Sequence, residues 1–560
     1  MSNEAVINSI SRRSVLGLGA GAAGALLLTG CSNKGRGVPP GGGDAVGATG
    51  LKLPVSVDPP AIDGTILSKV SGVPPAYTKL PLPGFQSVKE KPGSGGDVST
   101  FTITYGAAPK TDGNKWHDAI DAALGVTLTG SVVPAQSFGD KLVTTIASGE
   151  IPDITTNEPS YRGRAARKYL PQGVFHDLRE FLGGDKVKQY PNLAMVPAYA
   201  WKNSRINGAL YGVPCYRNQT IGGTICYRSD WAERGGFGDK PTNADEIFAW
   251  LKAIKKGGGN ETYPLATIDQ TFNFCGGQVQ GVPSGWRLTD GSLIKDLETD
   301  EYEAALGFAV KLWKAGLVHP NVLALTPNSA EYQSQFFSGR VGICNGSIDS
   351  YYGTTGYFAQ VRQRDPDATC DVLVPPGADG GHGVIAPDLG FYCMLSIPSS
   401  VSDEKRVAEL LRVIDYLAAP PGSKEYFLVH YGVKGHNYTV KDGVPVPSSD
   451  ESVVAESFLS MLGSFNRGFF FPGAPAKEAI TCQKYAEDMT KCFVEDPTAG
   501  LDSKTSYSRG DALSSIVQDY VNAIVTGRKP VSAVAELRKR WKANGGDTMR
   551  EEYEKAIASQ

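Results

Sequence analysis

Residues able to do chemistry are few in this 560-residue chain, and the first candidate set fails on context. Gly19-Ala-Gly21-Ala-Ala-Gly24 has the spacing of a dinucleotide-binding loop, in which backbone amides meet a pyrophosphate at a helix N-terminus. No strand precedes it, and it lies inside the apolar run Val15 to Leu28, so it cradles no phosphate. There is no G-x-S-x-G elbow, Walker lysine loop or H-E-x-x-H. Asp296/Glu298 and Glu551/Glu552 have the residue types for general acid and base work, but their charge-rich, helix-like surroundings read as solvated faces. Spacing leaves a glycosidase open, because its two acids can lie far apart in sequence. Six scattered histidines and the absence of C-x-x-C point to no metal site, no cofactor is implied, and no standard calcium loop occurs.

Eight cysteines follow Cys31, an even number that permits disulfides outside the cytosol. The local guesses are Cys215 with Cys226 and Cys482 with Cys492. Aromatic residues are plentiful, with 7 Trp, 24 Tyr and 21 Phe, and several fall at element ends instead of on helix stripes. Tyr105, Tyr161, Tyr216, Tyr351, Tyr352, Tyr438 and Phe465 are of this kind. Flat apolar faces beside Asn, Asp and Arg suit sugars, which present C–H patches rimmed with hydroxyls. Trp231, Trp250 and Trp313 read as packing.

The elements that must position these residues are α/β throughout. Phe101 to Tyr105 alternates as a strand, and Trp116, Ile120 and Leu124 form a helical stripe. A strand at Val126 to Thr129, a helix over Phe138 to Ala147 and a strand at Pro152 to Thr156 complete a parallel-sheet pattern. Thr242 caps a helix carrying Ile247, Trp250, Leu251 and Ile254. Tyr302 to Trp313, stopped by Gly316, and Val407 to Leu417, ended by Pro420-Pro421, form two more.

Before this body, Arg12-Arg13, an apolar run and Leu28-Thr-Gly-Cys31 have the order of an export signal. The arginine pair resembles a twin-arginine (Tat) signal, and Leu28 to Cys31 resembles a lipobox whose cysteine is acylated, as by palmitate. Residues 31–97 read as the lipidated cysteine, a Gly/Pro-rich tether and an extended segment. Removing residues 1–30 takes Arg12, Arg13 and Glu4, leaving 53 basic against 57 acidic side chains. That near-neutral balance shows no nucleic-acid footprint.

Longer stretches resemble extracellular solute-binding lipoproteins of ABC importers, of the family 1 carbohydrate-binding type and its long lipoprotein branch. The resemblance rests on Phe138-Gly-Asp-Lys-Leu142, Ala147-Ser-Gly149-Glu-Ile-Pro152-Asp153, Tyr211-Gly212-Val-Pro214 and Tyr227-Arg-Ser-Asp-Trp231. Phe336-Phe-Ser-Gly339-Arg340-Val-Gly342-Ile343 and Tyr431 to Pro445 carry it further. It implies a two-lobed periplasmic-binding-protein-like fold of class II type, each lobe a mainly parallel sheet flanked by helices. Three hinge crossings are expected near 212–219, 385–393 and 432–440. Lobe 1 would comprise 98–214 and 390–435, and lobe 2 would comprise 217–388 and 436–560.

The implied protein is a monomeric receptor, not an enzyme, held by a lipid on Cys31 at the outer face of the bacterial cell membrane. It captures an oligosaccharide and delivers it to the transmembrane permease subunits. Carried over by position, the cleft residues are Tyr105, Lys110, Asn157, Glu158, Tyr161, Tyr216, Arg217, Asn345, Asp349 and Tyr352. Relatives commonly place Trp where Ile348 stands, so Tyr351 or Tyr352 is the replacement expected to stack on ligand. Arg162 and Arg217 leave a uronate open. The alternatives are a tethered, glycosidase-like secreted enzyme, a receptor for a non-sugar solute, and a surface lipoprotein that binds another protein.

Overall fold

A computed structural model describes residues 52–104, 109–110, 112–159, 164–325, 329–457, 462 and 468–559. Cys31, Tyr105, Tyr161 and Arg162 lie outside the described residues. Strand β1 (Asp97–Thr104) leads to a helix over Lys115–Leu124, whose first turn is capped by the Asn114 side chain accepting from the His117 N–H at 2.9 Å. Gly125, at φ 73°, ends that helix in the left-handed conformation that glycine adopts without a Cβ clash. Next come β2 (Thr127–Pro134), a helix over Phe138–Ser148, and β3 (Ile154–Asn157). Further strands are β4 (Val213–Tyr216), β5 (Ile225–Arg228), β6 (Ile343–Asn345), β7 (Cys370–Leu373) and β8 (Phe391–Ser396).

Two sheets result. The first has the order β2-β1-β3-β8-β4, and the second has β6-β5-β7. In the first, β1 is parallel to β2 and β3, while β8 is antiparallel to both β3 and β4. The second departs from the mainly parallel expectation, because β5 is antiparallel to both neighbours. The reason is geometric. Native strands of each half run with their carboxyl ends toward the other half, and a strand arriving across the gap must run away from it. β5 arrives in the second half and β8 returns to the first, so each is the reversed strand of its sheet.

Apolar stripes cover both faces of the first sheet. Trp116, Ile120 and Leu124 pack with Leu410, Leu411 and Ile414 on one side. Phe138, Leu142 and Ile146 pack with Phe101 and Ile103 on the other. In the second half, Trp231, Trp250, Leu306, Tyr520 and Trp541 share one core, and Tyr332, Phe336, Ile348 and Tyr351 share another. Gly257 lets the helices over Ser229–Gly235 and Ala244–Gly258 touch, because a Cβ there would sit 1.9 Å from the Trp231 carbonyl oxygen. The cap of the second helix is Asn243, one residue beyond the expected Thr242; Glu246 bonds back to Thr242.

Three expectations are corrected. The chain does not cross near 432–440. The hairpin Tyr438–Lys441/Val444–Pro447 stays beside the first sheet, because Asn437 donates to Glu456 at 3.0 Å and Asn114 donates to the Glu456 carbonyl at 3.0 Å. The start of the expected 436–560 portion of lobe 2 therefore packs with lobe 1. Cys215 and Cys226 lie on strands of different sheets and do not pair. Cys482 Sγ points to the Ile348 carbonyl and Cys492 Sγ to the Pro375 carbonyl, each at 3.8 Å, so that pair is separated as well.

The second half is closed by carboxylate contacts. Glu298 pairs with Lys542 at 2.8 Å and Arg550 at 2.6 Å, tying a short turn to the C-terminal helices. Burial raises the Glu298 carboxyl, but its bonds to Lys542, Arg550 and the Lys295 N–H outweigh that and hold it below its usual 4.5. A carboxyl lowered by folding stabilises fully above its ordinary pKa and loses that contribution as pH falls through the folded value. Glu298→Gln is therefore expected to be less stable than the parent at pH 6, with the difference shrinking as pH falls below 4.5 and through the lower folded value. Paired thermal melts from pH 3 to 6 check it; a constant difference would contradict the linkage.

Candidate functional site

The two sheets are joined by the segments 217–224 and 374–390, which bond to one another. The Arg217 N–H donates to the Gly390 carbonyl at 3.0 Å, and the Asp388 N–H donates to the Gln219 carbonyl at 3.1 Å. The Arg217 guanidinium is ion-paired with the Asp388 carboxylate and lies 5.5 Å from the Tyr392 ring centroid. That pair stands where cavities of about 710 and about 540 Å³ meet, and Asp388 lines both.

The smaller cavity is built mainly by the second half. Its wall includes Asp269, Asn273 and Gln278 from a π-helical segment, Asp269–Gln278, a wide-turn geometry frequent at functional sites. Beside Asp269 lies Asn345, at the carboxyl end of β6, where open α/β sheets present ligand groups. Asn345 is held on three sides. Its Nδ2 donates to Asp269 Oδ2 at 2.9 Å, and its Oδ1 accepts from the Tyr332 hydroxyl at 3.2 Å. Its backbone N–H donates to the same hydroxyl at 2.6 Å. Gln333 donates to the Tyr357 hydroxyl at 2.7 Å at the cavity edge. Amides, hydroxyls, carboxylates and one guanidinium converge here, a set that recognises hydroxyl-rich solutes.

The larger cavity gathers Arg167, Asn203, Trp286, Asp296, Asp496 and Trp541. Burial pushes the Asp496 carboxyl above its usual value, against the N–H and hydroxyl donations of Thr498 at 2.8 and 2.7 Å. The cations are already engaged: Arg167 with Asp502 at 3.4 Å and Lys295 with Asp296 at 3.0 Å. Among the described residues, no group of three or more His, Cys, Asp or Glu is arranged to hold a metal ion.

Of the cleft residues expected from sequence, the structure brings Arg217 and Asn345 to one cavity. Asp349 lies on the loop below it, between the lining residues Ser347 and Ser350, with Oδ1 buried. Tyr352 is core, packed between Phe358 at 5.3 Å and Phe471 at 5.8 Å. Tyr351 is also core. Its hydroxyl donates to the Thr224 carbonyl and accepts from the Gly346 N–H, both at 3.0 Å, folding the loop under the cavity. Neither tyrosine presents a face to ligand as the replacement for Trp. Asn157 is buried in β3 and donates to Ser396 at 2.9 Å. Glu158 is buried next to it, and Tyr216 receives the Tyr199 hydroxyl at 3.1 Å. Lys110 is exposed, its backbone N–H donating to the Ala455 carbonyl at 2.9 Å.

Sequence reasoning passed over Asp269, Gln333, Tyr357 and Asp388. Asp388 had a signal, since it sits in the expected crossing 385–393. The other three lie on helices far apart in the chain that meet only when the second half folds.

Comparison with known proteins agrees with this architecture. Lipoprotein LipO of Bacillus subtilis is 25% identical over 464 residues, covering 79% of this chain and 88% of its own. The polygalacturonan/rhamnogalacturonan-binding protein YtcQ of the same organism is 25% identical over 487 residues, covering 84% and 93%. Among solved structures, calcium-free alginate-binding protein AlgQ2 superposes with a TM-score of 0.59 at 16% identity, covering 84% of this chain and 99% of that one. The N-glycan transport solute-binding protein NgtS of Streptococcus pneumoniae also gives 0.59 at 16% identity, covering 83% and 98%. These structural likenesses show the two-lobed solute-binding fold. Residues 115–446 match the family described as bacterial extracellular solute-binding protein, and the chain belongs to that family.

Proposed function

We propose that this chain is the receptor of an ABC importer, capturing an oligosaccharide at the junction of its two halves and delivering it to the membrane permease. The observation that carries the reading is the polar cavity at Asn345, Asp269 and Arg217, set at the crossing segments. Its size suits a few sugar residues. The names of YtcQ, AlgQ2 and NgtS, all glycan-binding or glycan-transport proteins, support the sugar class. A lipid on Cys31 and the tether after it keep the receptor near its permease; LipO, a named lipoprotein, supports that arrangement. No helix among the described residues is long and apolar enough to cross a membrane. The proposed division is residues 98–214 and 390–456 in lobe 1, with 217–388 and the C-terminal helices in lobe 2.

The charge balance favours an uncharged glycan over a uronate. At the proposed site Arg217 is already paired with Asp388 and Asp269 adds a second carboxylate, while in the adjoining cavity Arg167 and Lys295 are likewise paired with carboxylates and Glu495 adds another. A sugar carboxylate entering there would meet like charge.

Thermal unfolding against neutral and uronate oligosaccharides tests the reading. A ligand at a hundred times its Kd adds about 2.7 kcal/mol, which raises Tm by about 2–3 °C in a chain of this size. A shift with the sugar recovered intact supports a receptor. A larger shift with uronates would reverse the charge argument. Cleaved sugar would mean an enzyme, and no shift with any glycan would overturn the sugar class.

A further inference from the structure

The first crossing is bracketed by two cysteines, Cys215 at the end of the first sheet and Cys226 at the start of the second. Each faces a second cysteine on the neighbouring strand. Cys226 is directly opposite Cys344 in the antiparallel pair β5/β6. Opposed residues in such pairs have Cα atoms about 4.5–5.5 Å apart, inside the range of about 4.4–6.8 Å that a disulfide spans. Both side chains are fully buried, and Cys226 Sγ lies 3.3 Å from the Cys344 carbonyl oxygen. In the first sheet Pro214 is opposite Met394, which places Cys215 next to Cys393 where the β4/β8 register shifts. These two thiols also contact each other, and both are buried.

We propose that Cys226 and Cys344 form a cross-strand disulfide in the exported protein, and that Cys215 and Cys393 form its counterpart in the first sheet. The bridges would hold both ends of the segment that carries Arg217. They would also fix Asn345, the residue after Cys344, against the cavity. The chemistry is thiol–disulfide exchange with an extracytoplasmic oxidoreductase carrying a reactive disulfide. One cysteine thiolate attacks a partner sulfur and the other partner sulfur leaves as a thiolate. The second cysteine then displaces the partner from the mixed disulfide. Two cysteine thiols are oxidised, one partner disulfide is reduced to a dithiol, and the two thiol protons pass to it.

Timing follows from burial. Burial raises the Cys226 and Cys393 thiols well above their usual value, so little thiolate exists in the closed fold. Each pair has one member on an outermost strand, β6 or β4. An outermost strand pairs on one side only, so it is the one to open. Exchange therefore happens during folding, or on local opening of that strand when the chain is exported already folded. The remaining cysteines, Cys275, Cys370, Cys482 and Cys492, stay as thiols.

The test is a peptide map of the full chain, alkylated in denaturant without reductant. It is made on protein exported to a bacterial periplasm and on protein refolded from the reduced state in glutathione redox buffer. The expected result is one linked peptide pair joining Cys226 to Cys344 and one joining Cys215 to Cys393. Reductant should lower Tm by about 2–4 °C per bridge. Cys226→Ser should lose only its own linked pair. Recovery of Cys226 and Cys344 as alkylated thiols in both samples, or linked elsewhere, overturns the first bridge. The same result at Cys215 and Cys393 overturns the second.

Discussion

Tyr332→Phe should cost about 2–4 kcal/mol of stability, although it removes one oxygen atom and leaves the ring. The hydroxyl is buried, accepts from the Asn345 N–H at 2.6 Å and from Gln270 Nε2 at 2.7 Å, and donates to Asn345 Oδ1. Phenylalanine strands a buried donor on Gln270 and the half-buried Asn345 N–H, a buried donor costing about 1–3 kcal/mol when unpaired. The same change releases the side chain that Asn345 presents to the cavity, so oligosaccharide affinity should fall about tenfold, or 1.4 kcal/mol. Denaturant unfolding and titration calorimetry read the two effects. A loss below about 1 kcal/mol would mean that the donors find other partners. Unchanged affinity would place the sugar away from Asn345.

Trp250→Ala should be the more damaging to stability and the less damaging to binding. The ring is fully buried in the second half, edge-on to Tyr227 with centroids 5.0 Å apart, and sits on the helix that presses against Trp231. Truncating a buried tryptophan leaves a cavity that rigid neighbours refill poorly, at about 3–5 kcal/mol. Trp250 lines neither cavity, so protein that remains folded at low temperature should bind with unchanged affinity. Equal losses in affinity and stability would show that the halves transmit packing defects to the junction. A stability loss under 1 kcal/mol would contradict the packing argument itself.

Much of the fold was legible because it is periodic. The stripes Trp116/Ile120/Leu124, Ile247/Trp250/Leu251 and Val407/Leu410/Ile414 are helical in sequence and helical in fact. The strands at 97–104, 127–134 and 154–157 overlap the expected 101–105, 126–129 and 152–156, with ends displaced by up to five residues. That Arg217 and Asn345 would lie beside the junction was legible because Arg217 follows β4 and Asn345 ends β6. Tyr352 misled for the opposite reason: an aromatic at an element end looks exposed until a distant residue such as Phe471 covers it.

By itself the sequence determined the main α/β elements, their stops and the family resemblance, since these depend on neighbours within a few turns or on recognisable motifs. Only the tertiary structure decided four things. It reversed β5 and paired Arg217 with Asp388. It brought Asp269 to Asn345 and set Cys226 opposite Cys344 rather than beside Cys215. Each of these joins residues far apart in the chain. Their meeting is decided by tertiary topology, within a half or across the junction, and no local period or propensity encodes it.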